Sequence, residues 1–211
     1  SVQLAGAMKN VMWKGELGGI ISMHSLAKAG HYGLGPLEYL RGELLLMDGQ
    51  AFVSTVLTDS TMQVEKNAAA KAPFFVYAEV KAWEEIPLPD SVRTIPQLEA
   101  FIDQYTEGKW ARPFAFKLQG RVDKADIHIQ NLSEGTPVSS PQEAHQGQTN
   151  YVLENRKVEI VGFFSKEHQG VFTHHDSFVH LHLITQDRRQ MGHLDEMLLG
   201  KGDKRLFLPK G

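Results

Sequence analysis

The 211-residue chain contains no cysteine, which excludes disulfide bonds and every metal site built on thiolates. It has no basic run, and its net charge is -3 with histidine neutral, so nucleic acid is not expected as a partner. No apolar run approaches the ~20 residues of a membrane-spanning helix. The remaining composition, 42% hydrophobic and 22% charged, is ordinary for a globular protein with one core or two small packed subdomains.

Histidine is well represented, and three histidines follow a pattern typical of a metal site. His180 and His182 alternate with leucines, so on a strand their imidazoles share one face. Residues 186–192 are predicted to form a turn that returns His193 on a neighbouring strand, about 5 Å away. Three imidazoles can fill three corners of a zinc site and leave the fourth open for water or substrate. The alternative is a polar strand face without a metal.

Two further pairs of residues flank this pattern. His174 and His175 precede the strand and are predicted to be loop residues, with the alternative that one of them lines the site. Arg188 and Arg189 lie in the predicted turn. They could attract an anionic substrate, but arginines in turns are usually solvated.

Glu43 opens an otherwise apolar strand predicted over residues 43–47. Asp48-Gly49 then separates this strand from a second one over residues 51–56, which indicates a hairpin. From the residues alone, Glu43 is either solvated at the rim of the sheet, the favoured interpretation, or paired inside a site. Burial would raise its pKa and suit it to proton transfer.

His128 lies in a segment that alternates cleanly between apolar and polar residues. Ile127 and Ile129 are predicted to face the core, and Asp126, His128 and Gln130 to form a polar face. Spacing alone favours a sheet surface exposed to solvent.

Many short strand patterns and two helical ones predict an α+β, β-rich fold with a few short helices. The helices are expected over residues 20–29 and 95–105, and residues 31–36 and 133–151 are expected to be loops. A boundary near Gly108 divides the chain into two packed sheet-based subdomains. They cover residues 1–108 and residues 109–211, and the second carries the zinc site.

Taken together, these segments resemble the alpha-acetolactate decarboxylase family. Residues 30–36 followed by 40–43 are similar to the family's glycine-rich segment running into a Leu-Asp-Gly-Glu motif. Asp48-Gly49 and Ala72-Pro73-Phe74 recur at similar spacing. The His-x-His of residues 180–182 and Gly192-His193 match the family's zinc motif with the same separation.

The resemblance implies two β-rich subdomains, a homodimer, and Zn²⁺ held by His180, His182 and His193. It implies conversion of 2-acetolactate, or a similar 2-hydroxy-3-keto acid, to acetoin and carbon dioxide. It also makes Glu43 an active-site carboxylate. Exported relatives exist in this family and cysteine is absent, so an exported location is favoured over a cytoplasmic one.

Three departures from the family's pattern leave other functions open. Counting from Gly120, His128 occupies the place of an active-site arginine and becomes a candidate catalytic residue. Pro36 replaces a threonine, and we find no equivalent of a glutamate that the family supplies from a C-terminal tail. The alternatives are a zinc-dependent ester hydrolase on the same scaffold and a non-catalytic metal- or ligand-binding relative.

Overall fold

The structure is a computed structural model that describes residues 1–173 and 176–210, so the predictions for His174 and His175 lie outside the described residues. The strands are β1 (Val2–Ala5), β2 (Ile21–Ser22), β3 (His31–Pro36), β4 (Glu43–Met47), β5 (Gln50–Val56), β6 (Met62–Lys66), β7 (Lys71–Ala72), β8 (Phe75–Glu79), β9 (Trp83–Pro87), β10 (Phe114–Ile129), β11 (Thr149–Phe164), β12 (Val179–Thr185), β13 (Met191–Leu199) and β14 (Arg205–Pro209). The helices are α1 (Met8–Lys14), α2 (Ile95–Thr106) and α3 (Pro141–Ala144), with 3₁₀ turns at Met23–Leu26 and Glu38–Leu40. None of the helices in the described part of the chain has the length and apolar content to cross a lipid bilayer.

The N-terminal sheet is antiparallel, with strand order β1-β8-β3-β4-β5-β6. The predicted hairpin at Asp48-Gly49 joins β4 to β5, and both turn residues have positive φ, 49° and 78°. Leu45 points toward the second sheet, whereas Leu44 and Leu46 pack under the Met23–Leu26 turn. Both faces of β4 are therefore buried, which explains why its sequence is an unbroken apolar run after Glu43.

The glycine-rich segment 31–36, predicted to be a loop, is strand β3. Its glycines allow an aromatic ring to pack directly on the backbone. A Cβ atom on Gly33 would lie 2.4 Å from the Phe75 ring, and one on Gly35 would lie 2.8 Å from it. The prediction was wrong because a missing side chain serves close packing as well as it serves a turn.

The C-terminal sheet has strand order β11-β12-β13-β10-β14-β9, and β10 pairs with β11 as well. Strands β10 to β13 thus close into a ring. Apolar side chains fill the ring, among them Phe116, Ile127, Leu153, Leu181 and Leu194. The outer face of β10 to β13 packs on the N-terminal sheet through Ala115, Val161, Phe163 and Ile184.

The two sheet-based bodies with few helices confirm the predicted α+β, β-rich fold class. Strand β9 precedes residue 108 but pairs with β14 in the C-terminal sheet. The division at residue 108 stays a prediction.

The helical predictions had mixed outcomes. The helix predicted over residues 95–105 is α2, and Thr94 and Gln97 form a capping box at its start. The helix predicted over residues 20–29 is only the 3₁₀ turn Met23–Leu26, preceded by β2. The segment 133–151, expected to be a loop throughout, contains α3 and the start of β11.

Lys117 of β10 lies between aromatic rings near the contact of the two sheets. Its Nζ is 4.7 Å from the ring centroid of Trp83, 5.3 Å from that of Tyr32 and 5.1 Å from that of Phe207. Trp83 Nε1 donates a hydrogen bond of 3.3 Å to the Tyr32 hydroxyl. Burial lowers the pKa of Lys117, while the ring faces attract its ammonium group. These four residues are called the Lys117 cage below.

Candidate metal centre and cavity

The neighbouring strands β12 and β13 bring three histidines together. His182 lies opposite His193 in the register, and His180 shares the face of His182 two residues away. One ring nitrogen from each of the three lies within 4.8 Å of the others, and all three residues are buried. Nε2 of His180 is 3.2 Å from Nδ1 of His193. The structure therefore forms the predicted hairpin, and the role of the histidines as metal ligands stays a prediction.

The burial, hydrogen bonding and pKa of His182 indicate whether a metal ion fits these three histidines. Its Nε2 is fully buried and has no hydrogen-bond partner within residues 1–173 and 176–210. Burial, followed by the neighbouring His180 and His128, lowers the pKa of His182 well below its ordinary value of 6.5. A neutral imidazole is the form that binds metal ions, and a buried nitrogen without a partner destabilises the fold. Ring nitrogens of three histidines around one point fit a zinc ion.

Glu43 begins β4 and points into the same space, with only 3% of the residue exposed. Its Oε1 accepts a 3.1 Å hydrogen bond from the backbone N–H of Gln130. Its Oε2 lies 3.6 Å from Nε2 of His182. Burial raises the pKa of Glu43 well above 4.5; the Gln130 N–H opposes this and the charge of Asp195 adds to it. The solvated-rim interpretation is wrong, because β4 packs against β13 and Glu43 is buried beside Gln130, just beyond the end of β10.

His128 lies on β10 opposite His193, and the two rings stack with their centroids 4.5 Å apart. Its Nδ1 is 2.7 Å from Oδ2 of Asp195. Ile127 and Ile129 do face the core, as predicted, but His128 and Gln130 are buried as well. The predicted solvent-facing surface is wrong for His128 and Gln130, because the N-terminal half of the chain covers them, whereas Asp126 is partly exposed.

Asp195 was missed by the sequence reasoning. It lies two residues beyond His193 on β13, and its Oδ1 is 3.8 Å from His193 Nε2. The carboxylate therefore contacts His128 and stands near His193 at once. The His-x-Asp spacing on a strand was the available signal, since alternate residues share a face.

The histidines and Glu43 lie in a cavity of about 450 Å³. Its walls combine the polar residues of the C-terminal sheet with apolar residues from elsewhere. Pro36, at the position where the resemblance expects threonine, contributes to the wall. The cavity is lined by Met8, Lys9, Met12, Trp13, Pro36, Leu40, Glu43, Phe74, His128, Gln130, Pro141, His145, Gly170, Thr173, His180, His182 and His193.

The sequence reasoning also missed the contribution of helix α1 to this cavity. Arg188 and Arg189, the residues considered as an anion attractor, do not line it. Arg188 forms an ion pair with Glu159, and its guanidinium lies 5.4 Å from the ring centroid of Phe52. Among the described residues, the permanently charged cation in the wall is Lys9 instead.

Comparison with known proteins agrees with the family resemblance of the sequence. The family model described as alpha-acetolactate decarboxylase matches residues 5–206. The alpha-acetolactate decarboxylase of Lactococcus lactis subsp. cremoris is 27% identical over 188 residues, covering 87% of this chain and 74% of the relative. That of Methanosarcina mazei is 26% identical over 189 residues, covering 89% of this chain and 62% of the relative.

Solved structures share the fold. A crystal structure of acetolactate decarboxylase from Bacillus subtilis subspecies spizizenii superimposes with a TM-score of 0.78 at 20% identity, covering 100% of this chain and 86% of that one. A protein of unknown function from Staphylococcus aureus, similar to alpha-acetolactate decarboxylase, gives 0.77 at 17% identity, covering 99% of this chain and 84% of that one. At these identities the likeness shows the β-rich architecture alone.

Proposed function

Because the chain belongs to the alpha-acetolactate decarboxylase family, whose enzymes are carboxy-lyases, we propose that it converts 2-acetolactate, or a similar 2-hydroxy-3-keto acid, to acetoin and carbon dioxide. We propose that His180, His182 and His193 hold a zinc ion for this reaction. One observation supports the proposal above the others: a single cavity contains both the three-histidine cluster and the buried carboxyl group of Glu43.

The reaction needs a group that stabilises the developing negative charge and a source of one proton. The bond between the carboxylate carbon and the hydroxyl-bearing carbon breaks, and its electron pair stays with the larger fragment as an enediolate. One proton added to carbon then gives acetoin. A zinc ion bound to the histidines would supply Lewis-acid stabilisation of the negative charge that develops on the two adjacent oxygens.

Glu43 is positioned to hold and deliver that proton. The backbone N–H of Gln130 engages Oε1, so Oε2 is the oxygen turned toward the histidines, 3.6 Å from His182. A proton on Oε2 therefore lies on the side where the substrate must bind. Leu40 and Phe74 add apolar surface to the cavity wall, and electrostatic interactions beside apolar surface are stronger than in water.

His128 takes the position where the resemblance expects an arginine. Asp195 engages Nδ1 of the ring, which leaves Nε2 as the atom available to a substrate oxygen. An imidazole cannot grip a carboxylate with two parallel hydrogen bonds, as a guanidinium does. This feature favours the second candidate, hydrolysis of a neutral ester, because an ester needs no carboxylate clamp.

The test is acetoin formation from racemic 2-acetolactate by the zinc-loaded protein. We expect acetoin from the parent, none above background from His182→Ala, and full activity from His24→Ala, which removes an exposed histidine outside the cavity. A parent that binds zinc and forms no acetoin would contradict the proposal. Hydrolysis of an aryl ester that a chelator abolishes would then favour the esterase.

Family resemblance also leads us to propose a homodimer. Light scattering that gives twice the chain mass of 23.6 kDa would support the dimer, and the mass of a single chain would contradict it.

A further inference from the structure

Helix α1 turns one side toward the cavity. Met8, Lys9, Met12 and Trp13 all line it. At 100° per residue these four positions span an arc of about 140° on the helix surface. Met8 and Met12 also pack against the apolar cluster that contains Leu40 and Phe74. The helix is therefore a wall of the cavity, and Lys9 lies within the arc that faces it.

Lys9 is the permanently charged cation among the described residues that line this cavity. Within residues 1–173 and 176–210 it forms no ion pair. Its situation differs from that of Arg41 and Arg188. Arg41 lies 3.5 Å from Glu134, and Arg188 pairs with Glu159. Those cations are committed to carboxylates of the protein itself.

The proposed zinc ion would engage the two adjacent oxygens of the substrate, so the carboxylate needs a further partner in the cavity. The Gln130 side-chain amide and Nε2 of His128 are in the wall and can each offer the carboxylate a hydrogen bond, but neither carries a permanent positive charge. Glu43 would repel a second carboxylate when ionised. Among the described lining residues, the permanent positive charge available to an anionic group is therefore that of Lys9, an exposed residue on the α1 side of the cavity.

We propose that Lys9 binds the carboxylate of the substrate and makes the cavity selective for anionic 2-hydroxy-3-keto acids. This inference rests on the proposed function for the identity of the substrate. It assigns Lys9 to affinity and not to turnover. The carboxylate leaves as neutral carbon dioxide, so a cation beside it stabilises the bound substrate more than the transition state.

The experiment measures binding of a ligand that cannot react. 2,3-Dihydroxy-2-methylbutanoate has the carboxylate and two adjacent oxygens but no ketone, so it cannot lose carbon dioxide. Its primary amide is the neutral counterpart. Calorimetry on the zinc-loaded protein gives Kd for both ligands with the parent, Lys9→Met and Lys14→Met.

Lys14 is the matched control, because it is a lysine of the same helix that does not line the cavity. It lies five residues from Lys9, about 140° around the helix. We expect Lys9→Met to weaken binding of the carboxylate by about tenfold, as for loss of one charge-assisted hydrogen bond. Its affinity for the amide, and both affinities of Lys14→Met, should equal those of the parent.

Equal carboxylate affinity in Lys9→Met and the parent would overturn the inference. An equal loss for carboxylate and amide, or a parent that binds neither ligand, would overturn it as well. Acetoin formation measured in parallel separates the two proposals. If the parent forms no acetoin but Lys9→Met still loses carboxylate affinity, the proposed function fails and Lys9 remains an anion-binding residue. If the parent forms acetoin, Lys9→Met should raise KM about tenfold without lowering kcat.

Discussion

The cavity and the Lys117 cage both enclose titratable side chains near the contact of the two sheets, but they treat them in opposite ways. In the cage, three aromatic rings surround one ammonium group, and Trp83 donates to Tyr32. In the cavity, Nε2 of His182 has no hydrogen-bond partner among the described residues, and Glu43 is held by one backbone N–H. The cage is complete as the chain folds. The cavity, in contrast, leaves a buried histidine nitrogen that a bound metal ion or ligand would engage.

The contrast separates stability from function. A buried polar atom without a partner destabilises the fold by about 1–3 kcal/mol, so its presence indicates a ligand or a reaction. A cation among ring faces stabilises its own surroundings. Changes in the cavity should therefore affect activity far more than folding, and changes in the cage should do the reverse.

The largest effect is expected from Glu43→Gln. The amide keeps the size of the side chain and can still accept from Gln130, but it cannot deliver a proton. We expect kcat for acetoin formation to fall by about 100- to 10,000-fold, with bound zinc unchanged. Glu65→Gln, an exposed change on β6, is the control and should match the parent. A loss of less than fivefold in Glu43→Gln would remove Glu43 from the chemistry.

Metal removal should be the next largest effect. At free zinc of about 100 times Kd, binding to the native state adds about 2.7 kcal/mol, which for a domain of this size is about 5–10 °C in Tm. A chelator should lower the Tm of the parent and of Lys117→Met by the same amount. It should leave the Tm of His182→Ala unchanged. Differential scanning calorimetry measures all three, and a chelator-sensitive His182→Ala would place the metal elsewhere.

The pH dependence of the metal-free protein sharpens the comparison. Burial raises the pKa of Glu43, so above pH 4.5 the native state keeps a proton that the unfolded chain has lost. The free energy of unfolding therefore falls as pH rises from 4.5 through the native pKa. His182 has a lowered pKa, so below pH 6.5 it makes the free energy of unfolding rise with pH. The parent and Glu43→Gln both contain His182, and the comparison of these two proteins isolates the contribution of Glu43.

Glu43→Gln removes the unfavourable contribution of Glu43. Its stability relative to the parent should therefore increase as pH rises above 4.5, as measured by urea unfolding at several pH values without metal. A difference that stays constant with pH would mean that Glu43 titrates alike in the native and unfolded states.

The smallest effect is expected from Lys117→Met. Methionine keeps much of the contact with the rings, while the attraction between cation and rings is lost and the burial of a charge is relieved. These opposing changes should leave a net loss of about 1 kcal/mol in unfolding free energy. Acetoin formation should stay within twofold of the parent. A tenfold loss of activity at unchanged stability would contradict the expectation that the Lys117 cage serves stability and the cavity serves activity.

The parts of the site that depend on local pattern could be predicted from the sequence. Alternation put His180 and His182 on one face, and a polar turn of the right length returned His193 beside them. The same alternation identified Ile127 and Ile129 as core residues. It could not show what covers the opposite face of β10, because that depends on a sheet distant in the sequence.

What sequence reasoning missed depends on tertiary packing. Asp195 becomes significant only because β13 lies beside β10 and places it 2.7 Å from His128. Lys9 belongs to an N-terminal helix whose position over the cavity follows from the packing of Val11, Leu40 and Phe74. The two glycines of β3 were misread because their use becomes visible only when the Phe75 ring is placed.

Helix α1 is seven residues long, whereas β10 and β11 are 16 residues each and pair along their length. A helix this short does not persist alone in water, so α1 depends on its apolar contacts to stay in place. Backbone amides of α1 should then exchange with solvent through local opening, and those of β10 only through much larger unfolding. A ligand held by Lys9 would slow the first and leave the second unchanged. The residence time of such a ligand is thus coupled to how often this short helix separates from the apolar residues against which it packs.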